Sequence, residues 1–162
     1  MKKLLMASAI FALTGGQAVS LSCMSPTIES SFIHYSESES TYIMALGKLV
    51  NIRSVVPAKD DMSSGDVRGE SYTADFIGHM ATRSGFDREV KLTVAVSGTC
   101  AAVWCGRVSS DVQMLGFFQE TPYGYKLTDG PCGGAVFYNV DKQMKRKALR
   151  CMRGGVCKAN NR

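Results

Sequence analysis

Cysteine carries the most chemistry in this chain. Cys23, Cys100, Cys105, Cys132, Cys151 and Cys157 are its six thiols. None stands in a C-x-x-C, so the spacing suggests neither a zinc ribbon nor a thioredoxin-type redox pair. The histidines are His34 and His79, and neither has a second histidine or a cysteine at ligand spacing. No metal and no cofactor is therefore expected. Asp60, Asp61 and Asp66 resemble a cation site only in charge. They lack the glycine and glutamate of a calcium loop and read as solvated. No G-x-S-x-G, H-E-x-x-H, phosphate-binding loop or paired-carboxylate pattern occurs, so no enzyme is expected. Cys132 sits in G-P-C-G-G. A nucleophile there competes with half of a disulfide in a tight turn, and the second reading is the one taken. Phe117, Phe118, Tyr123 and Tyr125 could stack on rings of a ligand. At least half of them are assigned to the core, because alternating strands must fill an interior. Trp104, beside Cys105, is assigned to packing against a disulfide.

The compartment decides how the cysteines are read. Lys2 and Lys3 precede an apolar run, Leu4 to Leu13, broken only by Ser8, and Ala18-Val19-Ser20 follows. Charge, length and small residues at the cleavage positions make residues 1–20 a secretory signal peptide, with a second possible cut after Ser22. The run is too short to span a bilayer, which takes roughly 20 residues. Ser20 stands where a lipoprotein signal wants leucine. The expectation is a secreted or periplasmic protein that does not span the membrane. Six cysteines in an oxidising compartment then imply three disulfides, among fifteen possible pairings.

Composition is that of a globular domain: 45% hydrophobic and 20% charged residues. This excludes a disordered tail protein, a coiled coil and a collagen-like repeat. The formal net charge is +5, but it is unevenly placed. Lys142, Lys145, Arg146, Lys147, Arg150, Arg153, Lys158 and Arg162 fill the tail with no acid among them, while residues 21–141 are net acidic. Lys142, Lys145, Arg146, Lys147, Arg150 and Arg153 form a possible interaction patch for an anionic membrane surface or an acidic protein. The competing reading, which is preferred, is a solvated helix face that also contacts its own acidic body. That acidic body opposes nucleic acid as a partner.

Periodicity sets the elements that must position these residues. Thr27 to Ser36 reads as a short helix, capped by Ser25 or Thr27. Tyr42 to Val50, Y-I-M-A-L-G-K-L-V, reads as a buried strand. Residues 57–69 are a polar loop by composition. Tyr72, Ala74, Phe76, Gly78 and Met80 alternate with polar neighbours, as do Leu92, Val94 and Val96, giving two half-buried strands. Val112 to Phe118 is another strand. Tyr123, Tyr125 and Leu127 alternate in the next, with a hairpin turn at residues 121–124. Asp141 to Met152 returns to helical spacing. The expected fold is mainly β: a closed, five- to six-stranded antiparallel barrel over residues 21–140, with a basic C-terminal helix and tail at 141–162 packed on it.

The order of these segments resembles a known family. Cys23-Met24-Ser25-Pro26 follows the signal, then a short helix and the strand Y-I-M-A-L-G-K-L-V. K-L-T-V-A-V-S-G leads to Trp104-Cys105-Gly106. V-Q-M-L-G-F-F leads to Y-G-Y-K-L-T-D-G-P-C. From about Cys23 to Cys157 the chain looks like a bacterial-type exported relative of the netrin-like domain of tissue inhibitors of metalloproteinases. That resemblance implies an OB-fold barrel with flanking helices, stapled by disulfides. It also implies a pairing of Cys23 with Cys132, leaving Cys100–Cys105 and Cys151–Cys157; the alternative is Cys23–Cys105 with Cys100–Cys132. The family opens on C-x-C-x-P, whose first cysteine grips the protease zinc. Here Leu21-Ser22-Cys23 lacks that cysteine, so the anchored amine and carbonyl that preorganise the grip are missing. The function expected is a non-catalytic module binding a protein or an anionic envelope component. The alternatives are a metalloproteinase-inhibitor-like protein and a small secreted enzyme without a recognisable motif.

Overall fold

In the computed structural model, which describes residues 22–61 and 66–159, Thr27 caps the first helix. Residues 1–20, where a signal peptide is expected, lie outside the described residues, as do residues 160–162. In chain order the elements are α1 (Ile28–Ser36), β1 (Tyr42–Val56), β2 (Lys59–Asp61), β3 (Asp66–Arg68), β4 (Ser71–Ala81), β5 (Phe86–Gly98), β6 (Cys100–Ala101), β7 (Trp104–Cys105), β8 (Met114–Thr121), β9 (Gly124–Asp129), β10 (Val136–Tyr138) and α2 (Lys142–Met152). At the start of α1, Thr27 and Ser30 satisfy each other's backbone N–H in a reciprocal box. At α2, Asp141 Oδ1 accepts the N–H of Met144 at 2.7 Å.

The molecule is mainly β. Six strands form one sheet in the order β1–β4–β5–β9–β8–β10, and β1 also pairs with β8 over Tyr42–Gly47. β1 therefore has β4 along one edge and β8 along the other. β2 and β3 pair only with each other, as do β6 and β7.

Burial follows from the layers. On β4 the side chains of Tyr72, Ala74 and Phe76 turn inward, and on β5 those of Val94 and Val96 do so. They meet Leu49, Met114, Phe118 and Leu127 in the main core. Phe76 and Phe118 are fully buried with ring centroids 4.6 Å apart. A second cluster fills the space between the sheet and the helices: Ile28, Met44, Leu115, Phe117 and Ala148. β8 is thus covered on both faces, and its residues Met114 to Phe118 are all buried. A strand sandwiched in this way reads as an unbroken apolar run rather than an alternation. Gly47 and Gly78 are cross-strand partners, and a Cβ on either would overlap the other strand's backbone. The ring of Phe76 covers the gap at Gly47.

Several expectations are corrected. The sheet is not wholly antiparallel: β5 and β9 run parallel from Val94–Tyr125 to Gly98–Asp129. Local alternation carries no information about strand direction. The segment between them is long enough for the crossover that a parallel pair requires. The polar stretch 57–69 holds two short paired strands, β2 and β3. Tyr123 lies in the β8–β9 turn and is 97% exposed. Trp104 is not packed in the core but is 57% exposed, since a hairpin tip closed by a short disulfide cannot reach the interior.

Candidate functional site

The disulfides are Cys23–Cys132, Cys100–Cys105 and Cys151–Cys157, with Cα atoms 5.3, 4.0 and 4.9 Å apart. No cysteine among the described residues is free. Cys132 is therefore not available as a nucleophile.

The basic patch is divided by its contacts. Lys147 Nζ and Arg150 Nη2 both reach Glu29 Oε1, at 3.3 and 3.2 Å. Glu29 is buried in the first turn of α1. Arg153 Nε and Nη2 donate to the carbonyls of Arg83 and Ser84, at 2.6 and 3.0 Å. These three side chains hold α2 to the body. Lys142, Lys145 and Arg146 form the remainder of the patch.

Near the N-terminal disulfide, Pro26, Ser30, Ser31, His34, Tyr35, Gly133 and Gly134 line a shallow cavity of about 270 Å³. Asp129, in the segment leading to Gly133 and Gly134, is buried, with Oδ1 accepting the N–H of Ala135 at 3.0 Å. Burial pushes its carboxyl up from the ordinary 3.8, against the backbone hydrogen bonds of Ala135 and Gly130. The folded state then holds this proton above pH 3.8, where the unfolded chain has released it. Stability must fall as pH rises through that window. Asp129→Asn keeps an oxygen for Ala135 and removes the buried charge. The variant is expected to be more stable than the parent at pH 7, the difference vanishing below pH 3.8. Thermal unfolding across pH 3–7 measures it; a constant difference would contradict the assignment.

The most distinctive surface lies at the other end of β1. After Val50 the strand is broken by two residues in the left-handed region, Asn51 (φ 53°) and Ser54 (φ 54°), and its register with β4 shifts at both places. Such bulges re-aim side chains. Here they leave Ile52, Val55 and Val56 on the surface, Val55 at 53% exposure. The first bulge is clamped by Asp75, whose carboxylate accepts from Asn51 Nδ2 at 3.0 Å and Arg53 Nη2 at 2.9 Å. Those two hydrogen bonds hold the Asp75 carboxyl below its ordinary 3.8.

The β6–β7 hairpin stands beside these residues. It is closed by Cys100–Cys105 and turns through Ala102 (φ 51°), which presents Val103 and Trp104 outward. Its base is fixed by close backbone approach. A Cβ on Gly98 would overlap the carbonyl of Gly106, and one on Gly106 would overlap the carbonyl of Asp129. The loop that follows is pinned in three places. Tyr72 Oη donates to the Val108 carbonyl at 2.7 Å, Ser109 N–H donates to Tyr138 Oη at 2.7 Å, and Asp111 N–H donates to the Leu49 carbonyl at 2.9 Å. Burial pushes the Tyr72 hydroxyl up to about 12, with Tyr138 and Glu70 adding to it, so it remains a donor at every physiological pH.

Two adjoining cavities result, of about 380 and 400 Å³. The first is lined by Ala58, Lys59, Arg68, Val103, Trp104, Cys105 and Arg107. The second includes Ile52, Val55, Glu70 and Tyr72, and it shares Arg107 with the first. Together they form a groove of aliphatic side chains, an indole and guanidinium groups on braced backbone. It holds no thiol, histidine or paired carboxylates, and no group of three metal-ligating side chains occurs among the described residues. This chemistry suits binding. Sequence reasoning assigned Trp104 to the core and overlooked Ile52, Val55, Val103 and Arg107. The available signal was the four-residue span inside C-A-A-V-W-C, too short to bury its own tip.

No family model, curated protein or solved structure matches the chain. No helix among the described residues is long and apolar enough to cross a membrane.

Proposed function

We propose that this chain is an exported, non-catalytic binding module on a closed OB-type barrel, which engages a protein through the groove between β1 and the β6–β7 hairpin. The observation that carries this reading is the concentration of exposed apolar residues there. Ile52, Val55, Val56, Val103 and Trp104 are all more than a third exposed, yet their backbone is anchored: Arg53 and Val56 stay paired with Thr73 and Ser71 on β4, Asp75 clamps Asn51 and Arg53, and Val103 and Trp104 lie inside the Cys100–Cys105 bridge. A fixed apolar cluster with an aromatic anchor is what a protein interface needs, because little ordering entropy remains to be lost on binding.

The barrel is supported by the circuit of pairings, β1–β4–β5–β9–β8 and back to β1. Its single parallel pair, β5 with β9, fits that topology. Export is supported by the three intramolecular disulfides, which persist in oxidising compartments.

A photo-reactive side chain tests the surface directly. Placed at Val103 or Val55 in the exported protein, it is expected to crosslink one discrete partner. Placed at Tyr123, in the turn at the far end of β9 from the Gly98–Asp129 pair beneath the hairpin, it is expected to crosslink none. Equal crosslinking from both ends, or from Tyr123 alone, would overturn the assignment.

A further inference from the structure

Resting on that reading of the groove, we infer that its occupant is an acidic, extended peptide segment of a partner protein. Apolar side chains would seat on Trp104 and Val55, and a carboxylate on Arg107. Three observations carry this.

First, the charge of the groove runs against its background. Residues 21–141 are net acidic, yet the cavity under Trp104 is lined by Lys59, Arg68 and Arg107 and by no carboxylate, and the second cavity adds only Glu70, so the groove as a whole keeps a cationic excess. Arg68 and Arg107 form no ion pair among the described residues. Second, Lys59 and Arg68 are direct cross-strand partners in the β2–β3 pair. Like charges placed opposite one another weaken a strand pair. Asp61 approaches Lys59 at 4.0 Å and offsets that repulsion, so the charge offered to an arriving carboxylate is that of Arg68 and Arg107. Third, Arg107 belongs to both cavities. A guanidinium there presents a planar fork suited to a carboxylate. An apolar site lies on either side of it, Trp104 with Val103 and Ile52 with Val55. That alternation, apolar–anionic–apolar, matches an extended chain.

Shape separates this occupant from its competitors. Each cavity is near the lower limit of ligand pockets, about 300–1,000 Å³, which suits individual side chains rather than a large cofactor. The outward Val103 and Trp104 would also suit a lipid surface, but Arg107, at the junction of two concavities, favours the carboxylate of a peptide. Simple strand addition to β1 is hindered, because Asn51 and Ser54 interrupt its extended conformation. Recognition therefore falls to side chains.

Trp104 is the one tryptophan of the chain, so its fluorescence reports on the groove without a label. The probes are a blocked peptide of about eight residues alternating glutamate and leucine, the same peptide with lysine for glutamate, and vesicles of phosphatidylglycerol. The acidic peptide is expected to shift Trp104 emission saturably and the lysine peptide to leave it unchanged. Arg107→Glu is expected to weaken the acidic peptide on the order of tenfold or more, with Arg107→Lys retaining more affinity than Arg107→Glu. An unchanged melting temperature for both variants shows that folding is not the cause. Equal response to both peptides, no response to the acidic one, or a response to vesicles alone would overturn the inference. If crosslinking from Val103 succeeds while the peptides fail, the acidic partner is wrong although the groove is right.

Discussion

Cys23→Ser is expected to destabilise the protein by about 4–5 kcal/mol in the chain-entropy view of cross-links. The Cys23–Cys132 bridge spans a sequence separation of 109, and its loss frees most of the domain in the unfolded state. A small domain has roughly 5–15 kcal/mol in total, so the variant should be largely unfolded or close to it. The bridge also has a local task. It ties the segment before α1 to the loop after β9, where Gly133 and Gly134 lie against Pro26. α1 has nine residues, too few to persist as an isolated helix. Removing both Cys151 and Cys157 opens a separation of only 6 and is expected to cost about 2–2.5 kcal/mol, roughly half as much. Denaturant unfolding of the two variants side by side measures the ordering. A Cys23 variant as stable as the Cys151/Cys157 variant would refute it.

Phe118→Ala is the second large effect, about 3–5 kcal/mol. Phe118 is fully buried, packs on Phe76, and its ring lies against the position a Cβ on Gly116 would take. Neighbouring strands are paired on both sides of β8, so the cavity cannot collapse readily. The expected signature is a lower denaturant midpoint at unchanged slope. Tyr123→Ala, at the exposed turn, should stay within about 0.5 kcal/mol of the parent. The pair separates two aromatics that composition alone treats alike.

Legibility followed the range of the interaction. The alternation at Tyr72, Ala74 and Phe76 and at Val94 and Val96 appears as inward and outward side chains, because burial on one face imposes a period of two. The helix ends were visible because caps act over three residues: Thr27 and Asp141 both bond to the third residue inward. The parallel β5–β9 pair was not visible, since direction is decided by where the chain returns after β8. Nor was β10, three residues held by pairing to Met114, Leu115 and Gly116. The groove was hidden for a related reason. Val55 and Val56 continue the apolar character of β1, and only the left-handed Asn51 and Ser54 turn them outward. The basic tail could be read as charge, but not its partition, because Glu29 is more than a hundred residues away from Lys147 and Arg150 in sequence.

Three surfaces of this molecule compete as the place of binding: the groove, the cavity beside Cys23–Cys132, and the cationic face of α2. Amide chemical-shift mapping with the partner captured from Val103 compares them in one experiment. The shifts are expected to concentrate in residues 51–56, 67–70 and 103–110. Shifts centred on Pro26, His34 and Gly134, or on Lys142, Lys145 and Arg146, with the groove silent, would contradict the account.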